Sequence, residues 1–449
     1  MNISLIRPKI DDRYASVKQV YTSFPPSAGL SCLATVVREI ANVQIYDENL
    51  IPADFNADII GIQDWVTTHN RALQLADQAK RHNPSSLIVL GGTNASHLAD
   101  RILQNHLYVD YVVMGHGEEA IIGLAEGQVK ERIANLCYRK NGHIVKNRQK
   151  IVPSPIFNLE QVIQWECDDQ TPFPISGIRG CIKAAKQGIC EYCSLQNERV
   201  VVMKPHAFWN QVRLLKENYG LRYFFETGDE FIVGRYPEQL LAVRPKDLSE
   251  VSLRIYSYPE TLAQQGVIKT LARLNVKELY MGVETINETI LKKAGRHYNA
   301  NVINRIFEEL SEHGIMAMVP FMFGLPGETN ESAQHNFNFS QQLLEDFPTT
   351  LKMMQYSLVV PIVGSSYFSL ACTNNNILKQ YNQQNRNLLL DDDFNYSLLT
   401  EFFIQEYCAA DISFLKELVE KGKRAAKKEG ILTSTFIGIE DSDNGAKNR

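Results

Sequence analysis

The chain has 449 residues, of which 44% are hydrophobic and 22% charged, and its formal net charge is −5. The length predicts two or three domains, and the composition is typical of a soluble globular protein. The slight negative charge excludes a bulk attraction to nucleic acid or membrane surfaces, and no apolar run reaches the length of a membrane span. The N-terminal residues show no cleavage signal, and the eight cysteines are scattered apart from one cluster, so we expect a cytoplasmic protein.

Strand-like and helix-like patterns alternate along residues 1–150. The segments "ADIIGIQ" and "SLIVLGG" are near-continuous apolar strands, and "NRALQLADQAKRH" between them has helical periodicity. This pattern predicts an α/β fold that begins with a doubly wound, Rossmann-like domain over residues 1–150, with ligands at the carboxyl ends of its strands. Asn141-Gly142 is the expected turn of a hairpin in this region.

A second series of strands and helices follows a linker that contains several prolines. The strand-like segments include "RYFFETGDEFI", "EVSLRIYSYPE", "ELYMGVET" and "MAMVPFMFGLPGET". They predict a partial (β/α)6 barrel over residues 151–375, with its chemistry on the loops that follow the strands. Residues 376–449 are predicted to form a helical extension that ends in a disordered tail, "EDSDNGAKNR".

Three cysteines, Cys181, Cys190 and Cys193, have the spacing C-x8-C-x2-C where the predicted barrel begins. A tetrahedral zinc site needs a fourth cysteine or histidine, and His206 is the nearest candidate. The alternative is a [4Fe–4S] cluster held by three thiolates, whose open iron binds S-adenosylmethionine (SAM) and passes an electron that releases a 5′-deoxyadenosyl radical. The position at the start of a barrel favours the cluster, and Tyr192 is placed to pack on the adenine.

These motifs resemble the radical SAM superfamily, in the branch with an N-terminal cobalamin-binding-like domain. In the barrel the resemblance rests on "RGCIKAAKQGICEYC", "FFETGDEF", "MGVETINETILKKAGR" and "FMFGLPGETNES". In the N-terminal domain it rests on "FPPSAGLSCLATVVRE", "LIVLGGTNASH" and "VDYVVMGHGEEAI". It covers residues 1 to about 370. The first gap between the cysteines is longer than the usual C-x3-C-x2-C, as it is in some members.

The resemblance implies a set of SAM contacts along the barrel strands. A polar turn after one strand meets the methionine amino group, an arginine pairs with the methionine carboxylate, and two glycines let the backbone approach the adenosine. A glutamate that ends a later strand completes the set. The residues are, in chain order, Thr227, Gly228, Asp229, Glu284, Arg296, Gly324 and Gly327.

The sequence also bears on which reaction the radical serves. Histidine-ligating cobalamin proteins carry Asp-x-His-x-x-Gly after the first strand, whereas this chain reads "RPKIDDRYASV" there. We therefore expect no bound cobalamin, and interpret the Gly91-Gly92 and "GHGEE" turns as remnants that keep the fold. Only Cys372 and Cys408 lie beyond the barrel motifs, and they are far apart, which disfavours an auxiliary iron–sulfur cluster.

Cys372 follows a predicted barrel strand, where a neutral thiol can donate a hydrogen atom to a substrate radical. This combination is similar to the PoyD-type radical SAM peptide epimerases of proteusin biosynthesis. That resemblance implies abstraction of a Cα hydrogen from an L-residue and return of hydrogen by Cys372, with Cys408 as the second candidate donor. It implies a ribosomal precursor peptide, leader plus core, and a flavodoxin- or ferredoxin-type electron donor as partners, with neither nucleic acid nor membrane.

Two other functions remain open. A cobalamin-dependent radical SAM C-methyltransferase shares the same domains, and a zinc-stabilised peptide-binding protein accounts for the clustered cysteines without catalysis. A corrinoid absorbance and a methyl mass gain distinguish the first, and the identity of the bound metal distinguishes the second.

Overall fold

The structure is a computed structural model that describes residues 1–11, 14, 25–195 and 199–434. The chain divides into two compact units, each made of three separate segments. The first unit contains Met1–Gly188, Leu195–Tyr256 and Lys269–Lys277. The second unit contains Ile189–Ser194, Ser257–Ile268 and Glu278–Arg449. The domain boundaries expected at residues 150 and 375 stay a prediction.

The first unit begins with a seven-stranded sheet in the order β2-β1-β3-β4-β5-β6-β7. Its strands are β1 (Asn2–Arg7), β2 (Asn42–Asp47), β3 (Ile59–Gln63), β4 (Leu87–Gly91), β5 (Tyr111–Val113), β6 (Leu136–Lys140) and β7 (His143–Lys146). The first five are parallel, and β6 and β7 are antiparallel additions at one edge. The helices between them are α1 (Ala28–Val37), α2 (His69–His82), α3 (Thr93–Asn105) and α4 (Glu118–Ala125), with a 3-10 turn at Lys130–Arg132.

Burial explains why these segments fold as they do. Strands β3 and β4 carry Ile59, Ile60, Ile88 and Leu90, all fully buried, as expected for a parallel sheet covered on both faces. Each such side chain contributes about 1.5–3 kcal/mol of hydrophobic stabilisation. The helices pack one apolar face against the sheet, and β6 and β7 are joined at the predicted turn, where Asn141 and Gly142 both have positive φ.

The first unit continues with the first strands of the barrel. These are β8 (Phe173–Ile175), β11 (Tyr223–Glu226) and β12 (Ser252–Ser257), which pair in parallel with β11 in the middle. A small antiparallel ribbon is formed by β9 (Ile178–Arg179) and β10 (Val201–Val202). The helices are α5 (Ile182–Gln187), α6 (Pro205–Tyr219) and α7 (Tyr236–Ala242), followed by a 3-10 turn at Lys246–Leu248.

The second unit carries the later strands and the C-terminal helices. Strands β13 (Val276–Met281), β14 (Met316–Phe323), β15 (Leu351–Leu358) and β16 (Leu432–Ser434) pair in parallel in that order. The helices are α8 (Pro259–Leu262), α9 (Val267–Arg273, which straddles the two units), α10 (Glu288–Lys293), α11 (Ala300–Glu312), α12 (Asn330–Asp346), α13 (Ser366–Thr373), α14 (Asn375–Asn382), α15 (Tyr396–Tyr407) and α16 (Ile412–Lys428).

The α/β class, the Rossmann-like N-terminal domain, the β/α-barrel strands and the helical C-terminal region are confirmed. Strand β16 was not predicted, because a three-residue strand after a long helix leaves no periodicity to detect. The expected disordered tail lies outside the described residues. Within the described residues, no helix is long and apolar enough to cross a membrane.

Candidate active site and cofactor cavity

A short helix explains the long gap between the first two cysteines of the cluster motif. Helix α5 begins directly after Cys181, whose carbonyl accepts a hydrogen bond from Ala185 N at 3.0 Å. It ends at Gly188, whose φ of 84° lets the chain turn away. Burial raises the pKa of the Cys181 thiol to about 11, and nearby backbone N–H groups of α5 oppose that rise.

The second and third cysteines form a separate tight turn. Cys193 N donates to the Cys190 carbonyl at 2.9 Å, and all three cluster cysteines are half-buried and outside any disulfide bond. Among the residues the structure describes, no three His, Cys, Asp or Glu side chains stand together as a metal site. A metal site and its ligands assemble together. The assignment of the three cysteines as cluster ligands therefore stays a prediction.

A buried carboxylate at the end of β11 holds the segment that leads into Cys181. The Glu226 carboxylate accepts hydrogen bonds from Gly177 N at 2.9 Å, Ile178 N at 3.0 Å and Gly228 N at 3.2 Å. Glu226 is fully buried, and this burial raises its pKa to about 7. Glu226 was not predicted from the sequence, although its position as the first residue of the "ETGDE" turn could have identified it.

The predicted polar turn Thr227–Gly228–Asp229 lies where it was expected, at the carboxyl end of β11. The Thr227 hydroxyl donates to the Ile175 carbonyl at 3.0 Å, and a side chain at Gly228 would come within 2.7 Å of the Ile178 Cβ. Asp229 is exposed, yet the protein atoms around it raise the pKa of its carboxyl, while the backbone N–H of Gly180 acts against that rise. The contact with a methionine amino group stays a prediction.

In the second unit, Arg296 is the centre of a buried polar network. Its Nε and Nη2 donate to the two carboxylate oxygens of Glu260 at 3.2 and 3.1 Å, and Nη1 donates to the Tyr192 hydroxyl at 3.1 Å. A further bond joins Nη2 to the Gly282 carbonyl at 3.1 Å. Burial acts to lower the pKa of Arg296, but the neighbouring Tyr298, Tyr192 and Glu260 raise it by more. The guanidinium therefore stays charged. Arg296 thus connects the predicted carboxylate site to the tyrosine of the C-x2-C turn.

Glu284 sits in a strained backbone position beside this network. Its φ is 58°, and its backbone bridges to β14 through hydrogen bonds with Pro320 and Met322. Burial raises the pKa of its carboxyl to about 7, and the nearby Arg296 opposes that rise. A protonatable carboxyl on a strained backbone that β14 holds in place is typical of a functional position.

The two glycines of the "GLPGE" loop both have φ of 86°, but packing explains at least one of them. A Cβ at Gly324 would lie 2.5 Å from Ile404 Cδ1, whereas one at Gly327 would meet only Lys293 Nζ, at 3.1 Å. Gly324 N donates to the carboxylate of the buried Glu328 at 2.5 Å. Their approach to an adenosine stays a prediction.

The two candidate donor cysteines lie in the C-terminal helical region. The Cys372 thiol, on α13, is 4.0 Å from the Leu388 carbonyl. The Cys408 thiol follows α15, donates to the Glu328 carbonyl at 3.2 Å, and has its pKa raised to about 11 by burial.

A cavity of about 170 Å³ opens at the carboxyl ends of β1, β3, β4 and β5 in the N-terminal domain. Its wall is mainly apolar and includes Leu5, Leu30, Leu33, Ile62, Val113 and Ile121. Glycines line it where the backbone packs closely: a Cβ at Gly92 would lie 2.4 Å from the Asp64 carbonyl oxygen. One end is polar, formed by His116, Glu118 and Arg179.

This polar end contains a group that lacks a partner. Arg179 Nη2 donates to Glu118 Oε1 at 2.5 Å, and both side chains are more than nine-tenths buried. Glu118 Oε2 is buried and makes no hydrogen bond. An unsatisfied buried carboxylate oxygen is costly, which indicates that a ligand supplies its donor. The cavity therefore fits one apolar portion of a larger ligand that also carries N–H or O–H groups, as cobalamin does.

Comparisons with known families match two separate parts of the chain. The Radical SAM superfamily matches residues 175–339, and the B12 binding domain matches residues 17–125. The chain therefore contains a radical SAM domain and, before it, a B12-binding domain.

Two named relatives are methyltransferases. The "Uncharacterized methyltransferase PH0819" of Pyrococcus horikoshii is 24% identical over 408 residues, which cover 84% of each chain. The bacteriochlorophyllide d C-12(1)-methyltransferase of Chlorobaculum tepidum is 22% identical and covers 76% of this chain and 72% of its own.

Solved structures share the fold. The radical SAM methyltransferase TsrM from Kitasatospora setae, solved with cobalamin and a [4Fe–4S] cluster, has a TM-score of 0.62 at 18% identity and covers 84% of this chain and 79% of its own. The cobalamin-dependent radical SAM enzyme OxsB, solved with aqua-cobalamin, has a TM-score of 0.65 at 13% identity and covers 88% of this chain and 63% of its own.

These findings correct two expectations. The peptide epimerase function is wrong, because the relatives are methyltransferases and the N-terminal domain matches the B12 binding domain. The expectation of no cobalamin is wrong for the same reason: a missing Asp-x-His-x-x-Gly motif excludes only a histidine ligand from that loop, and does not exclude the cavity. The hydrogen-donor role expected of Cys372, with Cys408 as the second candidate, is not tested by these findings and stays a prediction.

Proposed function

We propose that this chain, in which a B12-binding domain precedes a radical SAM domain, is a cobalamin-dependent radical SAM C-methyltransferase. The observation that carries the proposal is the cavity at the strand ends of the N-terminal domain, with its unpartnered Glu118 oxygen. The methyltransferase relatives, which align over most of this chain, support the same reaction class.

Two cofactors supply the chemistry: the cluster with SAM provides one-electron chemistry, and cobalamin provides a carrier for the methyl group. In this proposal Cys181, Cys190 and Cys193 hold the cluster. Glu226 contributes by fixing the backbone at Gly177 and Ile178, so that Cys181 enters its loop from a rigid base. A rigid base matters because a cluster ligand must be held in place while SAM binds and leaves.

The second unit supplies the charge that recognises SAM. Arg296 is oriented by the Glu260 carboxylate and by the Tyr192 hydroxyl, and we assign it to the methionine carboxylate. Glu284 in the same unit, and Asp229 in the first unit, are carboxyl groups with raised pKa values; we assign Glu284 to a hydroxyl group of SAM and Asp229 to its amino group. Tyr192 contributes its ring as a packing surface for the adenine.

The N-terminal cavity holds cobalamin in this proposal. Its apolar wall excludes water from the buried part of the cofactor, and the glycine backbone at Gly91 and Gly92 allows a close approach. Burial and the nearby Arg179 lower the pKa of His116 to about 4, so His116 is a neutral hydrogen-bonding group at neutral pH. The flavodoxin- or ferredoxin-type electron donor stays a prediction.

Isotope labelling tests the reaction class even though the methyl acceptor is unidentified. Cells that express the chain and are fed methionine with a CD3 group should contain a metabolite that keeps all three deuterium atoms. A matched culture that expresses Cys193→Ala should lack this metabolite, because loss of a cluster ligand removes radical chemistry but leaves the cavity intact.

The culture medium provides the second control, since the labelled product should also require added cobalamin. A product that forms equally without cobalamin contradicts the proposal, as does a product that takes up deuterium from heavy water instead of a CD3 group.

A further inference from the structure

The polar end of the N-terminal cavity is built differently from the rest of its wall. His116 and Glu118 come from the turn after β5 and the start of α4, whereas Arg179 comes from β9, at the entrance to the cysteine loop. A residue from the radical SAM domain therefore lines this end of the cavity, 61 positions from its ion-pair partner.

Glu118 has one satisfied and one unsatisfied oxygen. Oε1 is held by Arg179, and Oε2 makes no hydrogen bond although Glu118 is only 5% exposed. Since the Arg179 charge already neutralises the carboxylate, the free oxygen calls for a neutral donor, such as an amide N–H or a hydroxyl. A phosphate at this point would repel Glu118.

Both the side chain and the backbone of Arg179 are held by hydrogen bonds. Its Nη1 donates to the Val152 carbonyl at 2.9 Å while Nη2 holds Glu118. Its backbone pairs with Val201 in the ribbon that closes the base of the loop from residue 180 to 200. Gly180 follows with φ of 91°, and Cys181 comes next. Along the chain, Arg179 and the first cluster cysteine are thus separated by one glycine.

We propose that Glu118 and Arg179 couple occupancy of the cavity to the cysteine loop: an amide or hydroxyl donor of bound cobalamin satisfies Glu118 Oε2, and the ordered Glu118 then holds Arg179, and with it the start of the loop, more firmly than in the empty cavity. Glu118 is a cofactor-binding residue and Arg179 a positioning residue. The inference rests on the proposed function, because it takes cobalamin as the occupant.

Titration of cobalamin-free protein with hydroxocobalamin tests the first half. Glu118→Gln should raise the dissociation constant about tenfold, the loss of one charge-assisted hydrogen bond. Glu48→Gln is the matched control, because Glu48 pairs with Arg71 in the same domain but does not line the cavity. The control should stay within about twofold of the parent.

The rate at which an iron chelator strips the reconstituted cluster tests the second half. Bound hydroxocobalamin should slow iron loss several-fold in the parent chain, but not in Arg179→Lys, whose single ammonium cannot bridge Glu118 and Val152 as the guanidinium fork does. Arg71→Lys is the control and should keep the protection.

The outcomes separate this inference from the proposed function. If the parent chain binds no hydroxocobalamin, the proposed function fails and the inference with it. If the parent binds it, but Glu118→Gln binds equally well or Arg179→Lys keeps full protection, only the inference is overturned. Should Arg179→Lys fold poorly, the double variant Glu118→Gln/Arg179→Met removes both charges, and parental affinity together with parental protection in that variant overturns the inference.

Discussion

The N-terminal cavity and the cysteine loop are two cofactor sites built in different ways. The cavity has an apolar wall, glycines where the backbone packs closely, and an ion pair with one carboxylate oxygen left over. The cysteine loop instead offers thiols as ligands, and the β9–β10 ribbon and Glu226 hold the backbone that leads into it.

The difference follows from the chemistry of the two ligands. A large organic cofactor is recognised by shape and by hydrogen bonds, which a folded sheet can offer in advance. A cluster is bound by thiolates, which must lose their protons and repel each other until iron neutralises them. We therefore expect the cavity to bind its ligand without loss of protons, and the loop to release protons as its cluster is inserted.

The largest expected effect is the loss of a cluster ligand. Alanine at Cys181, Cys190 or Cys193 should lower reductive cleavage of SAM by at least about 1,000-fold, since the open iron is lost with the cluster. Cobalamin binding should persist, because none of the three lines the cavity. Cys167→Ala is the control, a half-buried thiol outside the loop. Cleavage of SAM at the wild-type rate in any of the three variants would show that this cysteine is not a cluster ligand.

Alanine substitutions of two glycines should disable the cavity and the cysteine loop one at a time, with smaller effects than the loss of a cluster ligand. Gly92 has φ of 127° and Gly180 has φ of 91°, and an alanine Cβ would lie 2.4 Å from the Asp64 oxygen or 2.1 Å from the Arg199 oxygen. We expect each change to cost about 3 kcal/mol, as strain plus a backbone clash. Gly92→Ala should lose cobalamin and keep iron, and Gly180→Ala should do the reverse.

Gly127→Ala provides the matched control for both. Gly127 also has positive φ, at 66°, but an added Cβ meets no atom within 4 Å, so the cost should be about 1 kcal/mol. Thermal midpoints and metal analysis measure these effects. Equal loss of both cofactors in the two test variants would contradict the separation of the sites.

The smallest effects are opposite pH dependences of stability. Burial raises the pKa of Glu226 to about 7, so the folded state keeps a proton that the unfolded state loses above its ordinary pKa of 4.5, and stability falls as pH rises from 4.5 to 7. Burial and Arg179 lower the pKa of His116 from 6.5 to about 4, so stability falls as pH drops from 6.5 to 4.

Replacing Glu226 or His116 by an uncharged residue should remove that group's contribution to the pH dependence of stability. Relative to the parent, Glu226→Gln should gain about 2 kcal/mol between pH 5 and pH 8, and His116→Gln should gain about 2 kcal/mol between pH 8 and pH 5. Denaturation midpoints of cofactor-free protein across this range provide the measurement. Parallel slopes in the two variants would show that the two groups do not differ in this way.

Much of the fold could be predicted because the parallel strands are long apolar runs separated by amphipathic helices. The hairpin at Asn141-Gly142 followed from turn chemistry alone. What escaped prediction was short: the two-residue strands β9 and β10, helix α5 inside the cysteine loop, and β16. Segments of two to six residues are formed by tertiary contacts, which leave no periodicity in the sequence.

The site was predicted unevenly for a similar reason. The cysteine spacing is local, so it pointed to a cluster directly. The cavity is assembled from Glu118 and Arg179, which are far apart in sequence, and its wall consists of apolar residues that look like any core. The missing histidine in the first loop was given too much weight, because one absent ligand says nothing about a cavity built elsewhere in the same sheet.

The metal content of one preparation is the most direct test that the chain binds both an iron–sulfur cluster and cobalamin. The chain should be purified anaerobically, reconstituted with iron and sulfide, incubated with hydroxocobalamin and desalted. The account predicts about four iron atoms and about one cobalt atom per chain, with Cys193→Ala keeping cobalt alone and Gly92→Ala keeping iron alone. Iron without cobalt in the parent chain would contradict the account.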